Sequence, residues 1–274
     1  MPATPAWPPK SAPRLFVETE LNAGRTLALD GNQANYLGRV MRVATGDAVI
    51  LCDDITGEWL GRATQVAKRR VDVHVEKRLR EREDVPDFWL CAALLKKDRF
   101  DMVLEKATEL GVARIQPVIT TRCVADKLNP DRARTIVTEA AEQCARTALP
   151  QVAEPVKLAQ LLADWPEDRL LFFADEEGGE PVAMAFPASL RRQGPQVTED
   201  SRTDRDPRLR GGSTPAALLT GPEGGFDDAE RTAIRAHPAA RAISLGPRIL
   251  RGETAAIAGI AVWMAQAGDW INGD

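Results

Sequence analysis

From Phe88 onward, short apolar runs alternate with helix-like patterns, and this alternation constrains the fold more than any other feature of the sequence. The strand-like runs read FWLCAALL, RIQPVIT, LLFFA, AALLT and AISLG, and helix-like segments separate most of them. Continuous apolar runs of this kind are typical of parallel strands that are buried on both faces. Strands that alternate with helices therefore predict an α/β fold with a doubly wound parallel sheet.

The helix ends of this region carry recognisable signals. Apolar side chains between Phe100 and Leu110 recur on one helical face, and Gly111 is placed to end that helix. Asn129 followed by Pro130 predicts the start of another helix. Asp227 with Glu230 three residues later predicts a capping box at the start of a third.

The N-terminal part follows a different pattern. Residues 14–82 hold short alternating stretches between turn residues, which predict a small β-barrel. One helical interruption is expected to bury a face made of Tyr36, Leu37, Val40 and Met41. We expect a flexible proline-rich tail at 1–13, a barrel domain at 14–82 and a second domain at 86–274. The segment Gly194–Ser213 is almost without apolar residues, which predicts a disordered insertion rather than an RNA-contacting arm.

Composition limits the classes of function without choosing one. The apolar fraction of 44% and the charged fraction of 28% are those of a soluble globular protein, and no apolar run approaches the roughly 20 residues of a membrane span. The net charge of −4 does not by itself indicate nucleic acid. Four scattered cysteines indicate reduced thiols in a cytoplasm, and Cys144 is expected in the core. With only two histidines, His74 and His237, no multi-histidine metal site is expected.

Two glycine- and proline-rich turns stand out near the C-terminus, in LLTGPEGGFDDAE and ISLGPRILRGETAAIAG. Each follows a short strand-like run and leads into a helix, so both lie at carboxyl ends of strands, where open parallel sheets bind ligands. Glycine allows close approach of a ligand to the backbone, and Pro222 and Pro247 stiffen the turns. A single turn of this kind can be only a tight connection. Two of them favour a site for a flat heterocycle held by main-chain groups.

These two stretches resemble the C-terminal signature of the SPOUT methyltransferases, and more narrowly that of the ribosomal RNA small subunit methyltransferase E family. The upstream blocks LLKKDRFDMVLEKATELGV, IQPVITTRC and EAAEQCARTALPQV follow in the order of that family. The region GDAVILCDDITGEW resembles its PUA-like RNA-binding barrel. The resemblance thus covers nearly the whole chain.

The resemblance implies an S-adenosylmethionine-dependent enzyme that methylates N3 of a uridine in 16S rRNA of the small ribosomal subunit. It also implies a cytoplasmic homodimer whose cofactor lies against a trefoil knot, with no metal and no membrane involved. Carried over by motif, the cofactor-binding residues are Leu219, Thr220, Gly221, Pro222, Glu223, Gly224, Gly225, Leu245, Gly246, Ile249 and Leu250.

The implied reaction assigns candidate catalytic roles. Uridine N3 is a poor nucleophile until it loses its proton, so a carboxylate is expected to act as the base and a cation to stabilise the resulting anion. The candidates are Arg251 as electrostatic stabiliser and Glu253 or Glu223 as proton acceptor. Glu253 has an alternative interpretation as an acidic residue that stabilises the first turn of its own helix.

Further polar residues have two interpretations. Glu139, Gln143 and Arg146 recur as one helical stripe, which is either a solvated face or a contribution to the site or the dimer. Lys106 and Glu109 on the preceding helix are similar cases. The basic residues expected to contact RNA phosphates are Arg14, Arg39, Arg42, Lys96, Lys97 and Arg99.

The sequence departs from the family pattern at two places. A histidine is usual near Asn35 and Tyr36, and a threonine is usual where Gly252 stands. Two other functions stay open at this point. The chain could be a SPOUT methyltransferase acting on ribose 2′-O or on another RNA, or a non-catalytic RNA-binding assembly factor that keeps the fold. The intact glycine turns favour the enzyme.

Overall fold

The computed structural model describes residues 11–186 and 214–271, so the predicted insertion at 194–213 and most of the predicted tail at 1–13 lie outside the described residues. The chain forms two compact units. The first comprises the residues up to Glu83 together with Ala141–Leu149, and the second comprises Asp84–Ala140 and the residues from Pro150 onward. Residues 141–149, expected in the second domain, belong to the first unit because Phe16 and Cys52 pack against Ala141.

The sheet of the first unit has five strands in the order β1-β3-β4-β5-β2, with β1 parallel to β3 and the other pairs antiparallel. The pairing of β4 and β5 contains register shifts, which bend a sheet and increase its twist. The predicted barrel is thus confirmed as a curled half-barrel. The strands are β1 Arg14–Phe16, β2 Thr26–Asp30, β3 Ala48–Cys52, β4 Glu58–Ala67 and β5 Arg70–Arg80.

The helical interruption after β2 differs from its predicted form. A short helix, α1 (Gly31–Asn35), continues into a π-helical turn at Tyr36–Val40, where the Met41 N–H donates to the Tyr36 carbonyl at 2.9 Å. The wider turn changes the helical period. Leu37 is fully buried as expected, whereas Val40 is 63% exposed and Met41 37% exposed. The expectation that these two residues belong to a buried face was wrong.

Asp53, directly after β3, organises the turn that leads into β4. Its carboxylate accepts hydrogen bonds from the backbone N–H groups of Leu21 at 2.7 Å and Thr56 at 2.7 Å, and from the Thr56 hydroxyl at 2.6 Å. The N–H groups of Ile55 and Gly57 donate to it as well. Burial acts to raise the pKa of Asp53, but these hydrogen bonds outweigh it and hold the pKa below its usual value.

Asp53→Asn is therefore expected to lower the free energy of unfolding by about 1–3 kcal/mol at neutral pH, because the amide nitrogen cannot accept hydrogen bonds from these donors. Since the folded-state pKa of Asp53 is depressed, its contribution is present above the unfolded-state pKa and is lost as pH falls through the folded-state pKa. Urea unfolding of the variant and the parent protein at pH 7 and at a series of acidic pH values measures the difference in stability. Asp30→Asn is the control, since the Asp30 side chain makes no capping hydrogen bond. Equal stability of Asp53→Asn and the parent protein at pH 7 would contradict the expectation.

The second unit contains an eight-stranded sheet in which every pair is parallel, in the order β11-β13-β10-β12-β6-β7-β8 with β9 also on β7. This confirms the predicted doubly wound parallel sheet. Its strands are β6 Phe88–Ala93, β7 Arg114–Ile119, β8 Gln151–Val152, β9 Val156–Lys157, β10 Leu170–Ala174, β11 Glu180–Pro181, β12 Ala216–Thr220 and β13 Ala240–Ser244. Its helices are α2 Lys97–Glu109, α3 Pro130–Cys144, α4 Leu158–Ala163, α5 Val182–Ala185, α6 Asp228–Ala236 and α7 Gly252–Gln266.

Both faces of this sheet are covered, which explains its continuous apolar strands. On one face Phe88 stacks on Trp263 of α7 with ring centroids 4.1 Å apart, and Leu218 packs in the same cluster. On the other face Phe173 and Leu219 pack with Phe226. Successive residues of β12 thus point into different cores. In the described part of the chain, no helix has the length and apolar character that crossing a membrane requires.

The predicted helix ends are confirmed. Gly111, just past α2, has φ +90°, a conformation that favours glycine. The Asn129 side chain accepts a hydrogen bond from the Arg132 N–H at 3.0 Å where α3 begins. Asp227 and Glu230 form the reciprocal capping box of α6. These features depend on neighbouring residues, so they could be read from the sequence.

Candidate active site

Three segments of the second unit meet at the carboxyl edge of its sheet. They are the connection from β6 to α2, the glycine-rich loop 221–227 after β12, and the start of α7. A Cβ atom on Gly252 would lie 2.9 Å from a methyl group of Leu95 and 3.0 Å from the carbonyl oxygen of Gly221. The N–H of Lys96 donates to Glu223 at 3.4 Å. The first glycine turn therefore lies next to the start of α7, at the end of the second sequence stretch, and the β6–α2 connection contacts both.

The glycine-rich loop is held in a fixed shape. A Cβ atom on Gly221 would lie 2.9 Å from the ring of Phe226, and Gly225 has φ +66° and lies against the Glu176 side chain. The Arg122 guanidinium donates to the Gly224 carbonyl at 2.9 Å. Gly221 and Gly225 therefore lie directly against neighbouring side chains, and the loop presents the exposed side chain of Glu223. Leu219 and Thr220, which precede it, are buried in β12. Their buried side chains are therefore not available to a cofactor.

The capping box anchors the far end of the same loop. The Glu230 N–H donates to Asp227 at 2.7 Å, and the Thr121 N–H donates to the Glu230 carboxylate at 2.7 Å. The bond from Glu230, followed by one from the Thr121 side chain, holds the pKa of Asp227 below its usual value. The loop after β7 thus braces the loop after β12.

An ion-pair network that the sequence did not indicate lies beside Gly225. Arg231 of α6 contacts Asp175 at 3.2 Å, Glu176 at 2.7 Å and Glu177 at 2.9 Å, and its side chain is only 9% exposed. Arg235 also pairs with Asp175, whose side chain is fully buried. The network fixes the segment after β10 to α6, and Glu176 in turn contacts Gly225. The run of three acidic residues after a strand was the only signal in the sequence.

The second predicted loop, between β13 and α7, is more open. Gly246 has φ +113° and a Cβ atom there would meet no neighbour within 4 Å. Leu245 packs partly against the core, Leu250 is half-buried, and Ile249 is 90% exposed. An apolar side chain this exposed, between a glycine turn and a helix start, is available to a ligand or to another chain.

The predicted catalytic carboxylates lie on either side of one guanidinium. Arg99 of α2 lies 3.7 Å from Glu223 and 3.9 Å from Glu253. Glu253, in the first turn of α7, is 8% exposed, and its Oε2 atom has no hydrogen-bond partner among the described residues. Arg251 is exposed and precedes the first residue of the helix. Arg99, which was expected to contact RNA phosphates, lies within 4 Å of both acidic side chains, and its RNA contact stays a prediction.

The other basic residues predicted to contact RNA differ in their availability. In the first unit, Arg14 is paired with Glu58 at 3.2 Å, whereas Arg39 and Arg42 are exposed. In the second unit, Lys96 and Lys97 are exposed at the start of α2. The ion pair makes Arg14 a weaker candidate than the other four.

The residues predicted to contribute to the site or the dimer also differ in their exposure. Lys106 pairs with Glu109 at 2.8 Å on the surface of α2, and Glu139 and Gln143 are exposed on α3. Arg146 does not continue that stripe, because α3 ends at Cys144 and Ala145 adopts φ +62°. Arg146 is buried against Glu83 at 3.5 Å, so the expected three-residue stripe was wrong for it. Its part in the site or the dimer loses its geometric basis.

The thiols differ from one another as well. All four cysteines are free, and Cys144 is exposed, contrary to the expectation that it lies in the core. Burial raises the pKa of Cys52 and that of Cys91 to about 12, so these two thiols stay protonated at neutral pH. Within the described ranges, no group of three or more His, Cys, Asp or Glu residues is placed to hold a metal ion.

Two sequence families match this chain. The RNA methyltransferase domain matches residues 82–264, and the RNA methyltransferase PUA domain matches residues 29–76. The ribosomal RNA small subunit methyltransferase E of Synechocystis sp. is 31% identical over 255 residues, which cover 90% of this chain and 76% of the relative. The protein of the same name from Rickettsia conorii is 28% identical over 251 residues, covering 90% of this chain and 93% of the relative.

Solved structures of methyltransferases resemble this chain as well. A ribosomal RNA small subunit methyltransferase E from Neisseria gonorrhoeae, crystallised with S-adenosyl methionine, superposes with a TM-score of 0.77 at 27% identity and covers 94% of this chain and 99% of its own. A methyltransferase of Legionella pneumophila with bound cofactor SAM gives a TM-score of 0.76 at 29% identity, covering 93% and 97%. Because the methyltransferase domain matches more than half of the chain and these relatives share nearly its full length, the chain belongs to the ribosomal RNA small subunit methyltransferase E family.

Proposed function

We propose that this protein transfers a methyl group from S-adenosylmethionine to N3 of a uridine in 16S rRNA of the small ribosomal subunit. The observation that carries the proposal is the glycine-rich loop 221–227, which is braced on both sides and whose Glu223 lies with Glu253 beside Arg99. Family membership supports the same reaction class. The choice of N3 rests on the resemblance and on the presence of buried carboxylate at this edge.

The residues of the site fit the cofactor. A Cβ atom on Gly246 would meet no neighbour within 4 Å, so the main chain there is open to a ligand, which suits a flat adenine held by backbone N–H and C=O groups. The unpartnered Glu253 Oε2 offers negative charge inside the site. We assign cofactor binding to the backbone of Leu219–Gly225 and to Leu245, Gly246, Ile249 and Leu250.

When bound, S-adenosylmethionine supplies an activated methyl group on a sulfonium. The chain has two tasks, to remove the N3 proton of the uridine and to stabilise the negative charge left on the base. We assign the role of proton acceptor to Glu253. Its side chain is 11% exposed and is therefore more buried than that of Glu223, which is 23% exposed. Arg251, exposed at the mouth of the site, stabilises charge on the uracil oxygens. The packed loops hold the reacting atoms in line.

We also propose a homodimer and a trefoil knot in the chain. After β13, α7 returns past β10 to pack against β12, where a Cβ atom on Gly259 would clash with Leu218. Such a return is the kind of crossing a knot requires. The helix is rich in apolar residues, with Ala258, Ala261 and Val262 only half-buried, and a helix that is apolar all round favours a second covered face. Ile249 supplies further apolar surface.

We assign the contacts with RNA to exposed basic side chains. Arg39 and Arg42 lie in the unit that matches the RNA methyltransferase PUA domain, and Lys96 and Lys97 lie next to the proposed active site. Contacts of such side chains with phosphates position an RNA without reading its sequence. A substrate of ribosomal RNA and four free cysteines both favour a cytoplasmic location.

Calorimetric titration with S-adenosylmethionine tests the proposal. We expect saturable binding of about one cofactor per protomer, because each chain carries one pair of loops. Gly221→Trp is expected to abolish binding, since even a Cβ atom there would lie 2.9 Å from Phe226. Gly38→Trp is the control, because a Cβ atom at Gly38 meets no neighbour within 4 Å. Circular dichroism verifies that both variants are folded.

The product then identifies the reaction. Incubation of in vitro transcribed 16S rRNA with cofactor, followed by nucleoside analysis, is expected to yield N3-methyluridine. A 2′-O-methylated nucleoside would replace the proposed specificity by the ribose reaction. Absence of cofactor binding at millimolar concentration would leave a non-catalytic RNA-binding protein.

A further inference from the structure

Arg99 lies beside the two carboxylates that are proposed to take part in catalysis. Its guanidinium, from the first turn of α2, lies 3.7 Å from Glu223 of the glycine-rich loop and 3.9 Å from Glu253 of α7. These are ion-pair distances, longer than the roughly 2.7–2.9 Å of a direct charge-assisted hydrogen bond. One cation thus joins the three segments of the site, and both carboxylates keep oxygen atoms for other partners.

The charges of this cluster do not cancel. Arg99, Glu223 and Glu253 together carry one net negative charge. Glu253 is 8% exposed and its Oε2 atom has no hydrogen-bond partner among the described residues. A buried carboxylate oxygen without a partner costs free energy, and a positive ligand placed beside it reduces that cost. The site is therefore prepared for a cation.

We propose that Glu223 and Glu253, which Arg99 holds in place and only partly neutralises, keep one net negative charge that makes the site prefer the sulfonium cofactor over its neutral thioether product. Arg99 is a positioning residue whose own charge limits this preference. The proposal rests on the proposed function, because it assumes that the cofactor lies at these loops. In the proposed reaction Glu253 takes the N3 proton, the S–C bond to the methyl group breaks as the N3–C bond forms, and the cofactor becomes a neutral thioether. The attraction to Glu253 weakens at the same step, which favours release of S-adenosylhomocysteine.

The test compares binding of S-adenosylmethionine and S-adenosylhomocysteine by calorimetry at low salt. Arg99→Gln removes the positive charge, so the preference for the sulfonium is expected to rise about threefold or more. Glu253→Gln removes a negative charge, and the preference is expected to fall by a similar factor. Arg99→Lys keeps the charge and retains the preference of the parent protein. The shift for Arg99→Gln shrinks at 0.5 M salt, where the Debye length is about 4 Å, because the Arg99 side chain is 33% exposed. The shift for the buried Glu253 shrinks less.

RNA affinity separates this role from phosphate binding. Arg99→Gln is expected to leave the salt dependence of binding to in vitro transcribed 16S rRNA unchanged. A phosphate contact would instead reduce the slope of log K against log salt by roughly one. A reduced slope with an unchanged cofactor preference overturns the proposal. Should Arg99→Gln fail to fold, the Glu253→Gln result decides, and an unchanged preference there overturns it as well.

The two levels of inference fail differently. If the parent protein does not bind S-adenosylmethionine, the proposed function fails and this inference fails with it. If the parent protein binds the cofactor and neither variant alters the preference for the sulfonium, the inference alone is overturned.

Discussion

Arg231→Met is expected to lower the free energy of unfolding by about 3–5 kcal/mol, the range for removing one partner from a buried ion pair. Arg231 is 9% exposed as a side chain and contacts Asp175, Glu176 and Glu177. Methionine fills a similar volume but leaves the buried carboxylates with fewer partners. Urea unfolding of the variant and the parent protein at pH 7 gives the difference.

Arg235→Met is the matched control for this change. Arg235 pairs with the same Asp175 at 2.5 Å, but its side chain is 44% exposed. Water can replace most of its contacts, so a cost of about 1 kcal/mol or less is expected. Equal costs for the two variants would contradict the view that burial makes Arg231 the central member of the network.

Arg231→Met is also expected to weaken the binding of the cofactor. Glu176 lies against Gly225, so a loosened segment after β10 releases the glycine-rich loop. Affinity for S-adenosylmethionine is therefore expected to fall in Arg231→Met and to stay close to that of the parent protein in Arg235→Met. Calorimetry below the unfolding temperature of each variant distinguishes a loosened loop from an unfolded protein.

Glu253→Gln is expected to lower kcat about 10²–10⁴-fold at saturating cofactor, the usual contribution of a general base. The amide is similar in shape to the carboxylate and cannot accept the N3 proton. Single-turnover transfer of a labelled methyl group to 16S rRNA measures the chemical step, and saturation with cofactor separates it from the weaker binding expected of this variant.

Glu223→Gln serves as the control, since Glu223 contacts the same Arg99 and its side chain is more exposed. A loss confined to about tenfold is expected for it, because it positions Arg99 and does not take the proton. If Glu223→Gln shows the larger loss, the proton belongs to Glu223 and Glu253 serves its own helix. Equal small losses would mean that neither carboxylate is the base.

Much of the fold could be predicted because its signals are local. The apolar runs of the parallel strands, the glycine after α2 and the capping box at Asp227 each depend on residues within a few positions. The short elements β8, β9, β11, α4 and α5 were not predicted, because segments of two to six residues are too short to show a period. The π-helical turn after Asn35 was missed because it changes the period from one turn to the next.

The candidate site was predicted only in part. The two glycine turns and the acidic residues Glu223 and Glu253 follow from motifs, and their roles stay predictions. Their common partner Arg99 was assigned to RNA, because a basic residue at the start of a helix looks the same in sequence whether it faces solvent or a carboxylate. Arg146 was placed on a helix stripe because nothing in its neighbours indicates the end of α3 at Cys144.

The parallel sheet, the positions of its two glycine-rich turns and the family of the chain could all be inferred from the sequence. They depend on the period of apolar residues, on glycine and proline in turns, and on contiguous motifs, and each of these is a local property of the sequence. Which charged side chains come into contact could be learned only from the folded chain. Arg99, Glu223 and Glu253, like Arg231 and Asp175, come from distant segments that the order of the strands brings to one edge. The interaction of two charges depends on their distance and burial, and neither is fixed until the sheet has formed.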